Sequence, residues 1–145
     1  MFLNKLKKEE QKLLFLDLAI KAAECSCGIS EEERKMIQVF AKEMEIPVKL
    51  KSDNSVDQVT SALISISTPK ELRIMMFEII GIMYSDSCYD SKEQNFVTNV
   101  SCKFGIDDSI VKDMELLVKK YSELYSSICE VVIGMPGILT KEPDY

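Results

Sequence analysis

Three short stretches of this chain carry the same helix-start chemistry. They are Ser30-x-x-Glu33, Thr68-Pro69-Lys70-Glu71 and Asp90-x-x-Glu93. In each, an oxygen-bearing side chain can accept a hydrogen bond from the amide three residues on. The glutamate at that third position can in turn accept one from the cap amide. Pro69 adds a residue pre-set for the first helical position. Apolar residues then follow at helical spacing: Met36, Ile37, Phe40, Ala41 and Met44 in the second helix, and Phe96, Val97, Val100 and Phe104, with Ser101 on the same face, after Asp90. No segment alternates as a strand would, so the fold class is all-α.

Two further stretches read as central helices. From Leu13 to Ala23 every residue is apolar except Asp17 and Lys21, which with Glu24 form a narrow polar stripe at i, i+4, i+7. From Ile74 to Tyr84 only Glu78 and Gly81 interrupt the apolar run, and Met75, Met76 and Met83 are expected to fill core gaps. A shorter helix carries Val56, Val59, Leu63 and Ile66 on one side. A long last helix from about 107 to 133 shows Ile110, Met114, Leu117, Tyr121, Leu124 and Ile128 at intervals of three and four. The cluster Gly134-Met135-Pro136-Gly137 ends it, and 134–145 is expected to be a loose tail. With 145 residues the chain is the size of one domain, expected to hold about seven helices.

The stretches 15–46 and 75–106, offset by 75 − 15 = 60 residues, have the same order: apolar helix, short loop, capping box, amphipathic helix. Under this offset Ser30 meets Asp90, Glu33 meets Glu93, and Ile46 meets Ile106. Two related hairpins, about 9–46 and 69–106, would bury their first helices against each other.

Composition excludes more than it assigns. The net charge is −6 and the pI about 4.8, which argues against a surface built to neutralise phosphates and so against a nucleic-acid partner. Without histidine there is no Ser-His or Cys-His dyad and no imidazole metal ligand. No other nucleophile–base arrangement is visible, so no catalytic residues are assigned and the chain is read as a non-enzyme. The five cysteines at 25, 27, 88, 102 and 129 contain no CxxC pair and suit reduced thiols. A metalloid or redox role for Cys25, Cys27 and Cys88 is the minority alternative.

The start Met1-Phe2-Leu3-Asn4-Lys5 is neither a signal-peptide core nor a membrane span, and a cytoplasmic location is expected. Lys5, Lys7, Lys8 and Lys12 give that segment a positive excess. A solvated helix start accounts for it, with peripheral contact to a membrane surface as the alternative.

The interhelical loops carry the remaining chemistry. Asp86, Asp90 and Glu93 bracket one turn and a helix start, where three carboxylates could face a common point. Oxygen ligands of this kind suit a hard divalent cation, Ca²⁺ or Mg²⁺. The pattern is not an EF-hand, because Ser91 and Val97 occupy the positions of its glycine and its last glutamate. The competing reading is that Asp90 and Glu93 only cap a helix, leaving Asp86 in solvent. In the first loop Glu33 keeps its acid, whereas Ser26 and Ser30 stand opposite Asp86 and Asp90.

The stretches AAECSCGISEEERKMI and IMYSDSCYDSKEQNFV, with KFGID after the second, resemble the tellurite-resistance TerB-like family over about residues 8–125. The resemblance implies an all-helical domain associated with stress-response and membrane-linked complexes. It also implies divalent-cation binding by acidic loop residues, here Asp86, Asp90, Glu93 and Glu33, and a protein partner of unknown identity. The chain departs from the family pattern where Ser26 replaces its aspartate, and Cys27 and Ser87 its glycines.

Overall fold

A computed structural model describes residues 1–25, 28–85 and 89–134. Within them the chain is all-helical: a 3-10 turn Leu3–Lys5 precedes α1 Glu9–Glu24, α2 Glu31–Met44, α3 Val56–Ile66, α4 Pro69–Met83, α5 Ser91–Lys103 and α6 Asp108–Val132. Six α-helices and one 3-10 turn thus stand, among the described residues, where about seven helices were expected. The tail beyond Gly134 lies outside the described residues.

The two apolar helices take the centre. α1 packs against α2, α3 and α4, and α4 in turn packs against α1, α2, α5 and α6. Their shared core includes Phe15, Leu16 and Ile20 of α1, with Met75, Met76, Ile79 and Met83 of α4, all without solvent exposure. Phe15 reaches Phe40 of α2 with ring centroids 5.6 Å apart. The capping boxes form at Ser30, Thr68 and Asp90, and a fourth forms at Ser55 with Gln58.

α1 and α4 begin 60 residues apart, and so do α2 and α5. The ends of α2 and α5 share one hydrogen-bond arrangement at the same offset. Ile46 N–H donates to Ala41 O at 3.0 Å and Glu45 N–H to Lys42 O at 3.1 Å. Ile106 N–H donates to Ser101 O at 3.0 Å and Gly105 N–H to Cys102 O at 3.1 Å. The turning residue is left-handed in both, Gly105 at φ 69° and Glu45 at φ 58°. A side chain there costs about 1–2 kcal/mol that glycine avoids.

Two acids that interrupt the apolar helices have specific partners. Glu78 of α4 is buried, and its Oε1 lies 3.0 Å from the Met1 ammonium and accepts from the Phe2 amide at 3.0 Å. Glu43 of α2 accepts from the same ammonium at 2.9 Å and from the Leu3 amide at 3.1 Å. Leu3 and Leu6 are thereby fixed in the core. The N-terminal segment is therefore packed on α2 and α4 through its apolar residues, while Lys5, Lys7 and Lys8 stay exposed and Lys12 is half-buried. Asp17, on the polar stripe of α1, is only 4% exposed. The linker between α2 and α3 folds over it, with Lys49 Nζ 2.5 Å from Oδ1 and Asn54 Nδ2 donating to Oδ2 at 3.1 Å.

The apolar stripe of the last helix is only partly covered, with Ile110 and Met114 packed against the core. α6 buries Val111, Val118 and Cys129, whereas Leu117, Tyr121, Leu124, Ile128 and Val131 are exposed. Its apolar residues cover a wider arc than the domain needs, so half of that arc faces outward. No helix among the described residues is long and apolar enough to cross a membrane.

Candidate functional site

Two matching capping boxes stand at the starts of α2 and α5. Ser30 caps α2: its hydroxyl accepts from the Glu33 amide at 3.1 Å, and its own amide donates to Glu33 Oε1 at 2.9 Å. Asp90 caps α5 in the same way, accepting from the Glu93 amide at 2.9 Å and donating its amide to Glu93 Oε1 at 3.2 Å. The reciprocal bonds draw each glutamate back over its own first turn. Glu33 and Glu93 are both buried, at 4% and 3% exposure, unlike Gln58 and Glu71 in the other two boxes. Both carboxylates sit at helix N-termini, where the dipole favours negative charge.

Cys25, the residue that ends α1, senses both boxes. Its thiol is pushed up to about 12, first by burial and then by Glu93, Asp90 and Glu33 in that order. One sulfur atom therefore senses carboxylates from two loops separated by some 60 residues. Negative charge from both sides disfavours the thiolate, and burial adds to it. Cys25 is held as a neutral thiol, chemistry opposite to that of a nucleophilic or redox-active cysteine. Cys102 is exposed and Cys129 buried, and both are free thiols like Cys25. Cys27 and Cys88 lie outside the described residues.

Of the expected ligands, Glu33, Asp90 and Glu93 all act electrostatically on the Cys25 thiol; Asp86 lies outside the described residues. Each box uses Oε1 of its glutamate. The donor set is hard oxygen, as Ca²⁺ or Mg²⁺ requires, but three carboxylates do not fill a shell of six or more ligands. Among the described residues no group of three or more Cys, Asp or Glu side chains could by itself hold a metal ion.

An aromatic pair flanks the cluster, joined to an acid that the spacing does not reveal. Tyr84, which ends α4, packs on Tyr89 with ring centroids 4.8 Å apart. The Tyr89 hydroxyl donates to Glu115 Oε1 of α6 at 3.4 Å. Burial first, then Glu115, raises the ionisation of both tyrosines above the ordinary phenol value. Burial also raises Glu115 itself. Glu115 sits more than twenty residues from the loop in sequence, and only the packing of α6 brings it near. Comparisons with protein-family models, with curated proteins and with solved structures find no match to this chain.

Proposed function

We propose that this chain is a non-enzymatic, TerB-like binding module of about two related hairpins, acting in the cytoplasm in a stress-response setting. In this reading a divalent cation, Ca²⁺ or Mg²⁺, is held by Asp86, Asp90 and Glu93 of the second loop with Glu33 of the first. What supports it is that carboxylates following both loops, Glu33 on one side and Asp90 and Glu93 on the other, all raise the Cys25 thiol. A two-loop carboxylate cluster is what a hard cation needs, and a pure capping role does not require the loops to face each other. Tyrosine fluorescence tests it, since Tyr84 and Tyr89 flank the loop and the chain has no tryptophan. Millimolar Ca²⁺ or Mg²⁺ should change the signal saturably, and Asp86→Asn with Asp90→Asn should abolish the change. No change, or one that survives the double substitution, refutes the cation.

A second reading has its own observation. The exposed arc of α6, from Leu117 to Val131, favours a protein-interaction scaffold within a membrane- or stress-linked complex, with the loop acids serving as caps. Glutamate at position 124 should abolish partner capture under this reading and leave cation titration untouched. The least supported reading is a thiol-based metalloid or redox responder using Cys25, Cys27 and Cys88, of which Cys27 and Cys88 lie outside the described residues.

A further inference from the structure

The N-terminal segment, α4 and α6 enclose an open groove of about 500 Å³. Phe2, Ile74, Phe77 and Met114 make its apolar floor, with Pro69 at one end. Phe2 and Phe77 meet edge to face at 6.1 Å and form a firm wall. Lys5, Lys70 and Arg73 line the same groove, and no carboxylate does. Lys70, Arg73, Ile74 and Phe77 share one face of α4, being spaced at intervals of three and four.

A three-cation site without an acid runs against the balance of a chain carrying six excess negative charges. The two acids of α4 are both engaged elsewhere. Glu71 is bound into the Thr68 capping box, where the Thr68 amide holds its carboxyl below the ordinary value with help from Gln11 and Lys8. Glu78 is occupied by the Met1 ammonium and the Phe2 amide. Among the described residues, Lys5, Lys70 and Arg73 form no ion pair. Their charge is therefore available to a ligand, while the floor beneath them offers apolar area that a small inorganic anion would leave wet. The volume falls in the range of about 300–1,000 Å³ usual for small-molecule sites.

We propose that this groove binds an amphipathic anion, a single acyl chain with an anionic head, its chain along Phe2, Ile74 and Phe77 and its head held by Lys70, Arg73 and Lys5. Lysine and arginine both donate charge-assisted hydrogen bonds to carboxylate or phosphate oxygens, and arginine does so in a two-pronged geometry. The chain supplies the apolar contact that orients the head toward the rim.

Laurate below its micellar concentration is the probe, followed by NMR of the wild-type chain. Dodecanol serves as the chain without charge, acetate as the head without chain, and anionic phospholipid vesicles as the membrane source. Laurate should saturate one site, shifting Phe2, Ile74 and Met114, and should bind at least about tenfold tighter than dodecanol or acetate, as loss of a charge-assisted hydrogen bond implies. Lys70→Gln with Arg73→Gln, both exposed positions, should weaken laurate by about tenfold or more. Lys119→Gln with Lys120→Gln removes the same charge from exposed positions outside the groove and should leave binding unchanged. Equal affinity for dodecanol, wild-type affinity in the Lys70/Arg73 variant, or binding confined to vesicles would overturn the proposal.

Discussion

Cys25 offers a direct chemical readout of the acidic loops. With its thiol at about 12 against an ordinary 9.0, the thiolate fraction at pH 8 falls from about one in ten to about one in ten thousand. A more basic thiolate attacks a disulfide faster, with a Brønsted slope of about 0.4–0.5, which returns about 15–30-fold of that loss. The net expectation is disulfide exchange about 30–60-fold slower than at an ordinary exposed thiol, before any steric effect of partial burial. Exposed Cys102 in the same molecule is the internal standard. The assay is labelling by a small aromatic disulfide at pH 8, quenched over time and resolved by peptide mass. Glu93→Gln removes the largest electrostatic contribution to the thiol while keeping the capping hydrogen bond, and should speed Cys25 without altering Cys102. A cation bound among the carboxylates should do the same. Labelling of Cys25 at the rate of Cys102, or indifference to Glu93→Gln, would refute the convergence of charge on this thiol.

Alkaline stability follows from four groups whose ionisation is raised by folding. Burial lowers the Met1 ammonium, but Glu78 and Glu43 more than offset this and leave it above 8.0. Cys25, Tyr84 and Tyr89 are raised chiefly by burial. The unfolded chain therefore loses these protons first, and the stability they contribute is complete below about pH 8 and drains away as pH climbs toward the folded values. The urea midpoint should fall between about pH 7 and pH 10.5, and a constant midpoint would contradict the assignment. At the matched helix ends, Glu45→Gly should stabilise by about 0.5–1 kcal/mol, while Gly105→Ala should destabilise by about 1–2 kcal/mol, both read by chemical denaturation. The Asp17–Lys49 pair should be asymmetric. Lys49→Met leaves a buried carboxylate short of its cation and should cost about 3 kcal/mol. Asp17→Ala should cost less, about 1–2 kcal/mol, because the 42%-exposed Lys49 side chain can retract to water. The reverse order would show that the linker is not anchored by this charge.

Local signals were legible in the sequence wherever a single turn of helix decides the outcome. Ser30, Thr68 and Asp90 cap their helices with the glutamate three residues on, because a capping box is complete within four residues. The apolar runs of α1 and α4 likewise read correctly as central, since a helix apolar on most sides must be surrounded. What depends on distant packing was hidden. Asp17 reads as part of a polar stripe until the 46–55 linker covers it, and Glu78 reads as an isolated acid until the Met1 ammonium reaches it. The seven-residue rhythm of Leu117, Tyr121 and Leu124 names an apolar stripe on α6 but not which edge of a broad apolar arc the domain occupies. The domain takes Val111, Val118 and Cys129 together with Ile110 and Met114 at the start of that stripe. In the candidate site the paired loop acids Glu33, Asp90 and Glu93 were legible from spacing. The mutual approach of the loops and the position of Glu115 required the tertiary fold.

The central claim is that the two acidic loops together hold a divalent cation, and thermal unfolding with and without that cation tests it most directly. A ligand bound only to the folded chain at a hundredfold excess over Kd adds about 2.7 kcal/mol, a rise in Tm of about 5–10 °C for a chain of this size. Wild-type protein should show this rise with Ca²⁺ or Mg²⁺, and Glu33→Gln with Glu93→Gln, which preserves both capping boxes, should reduce it sharply. A Tm unmoved by either cation up to millimolar concentration, or raised equally in the double variant, would contradict the claim and leave the acids as helix caps.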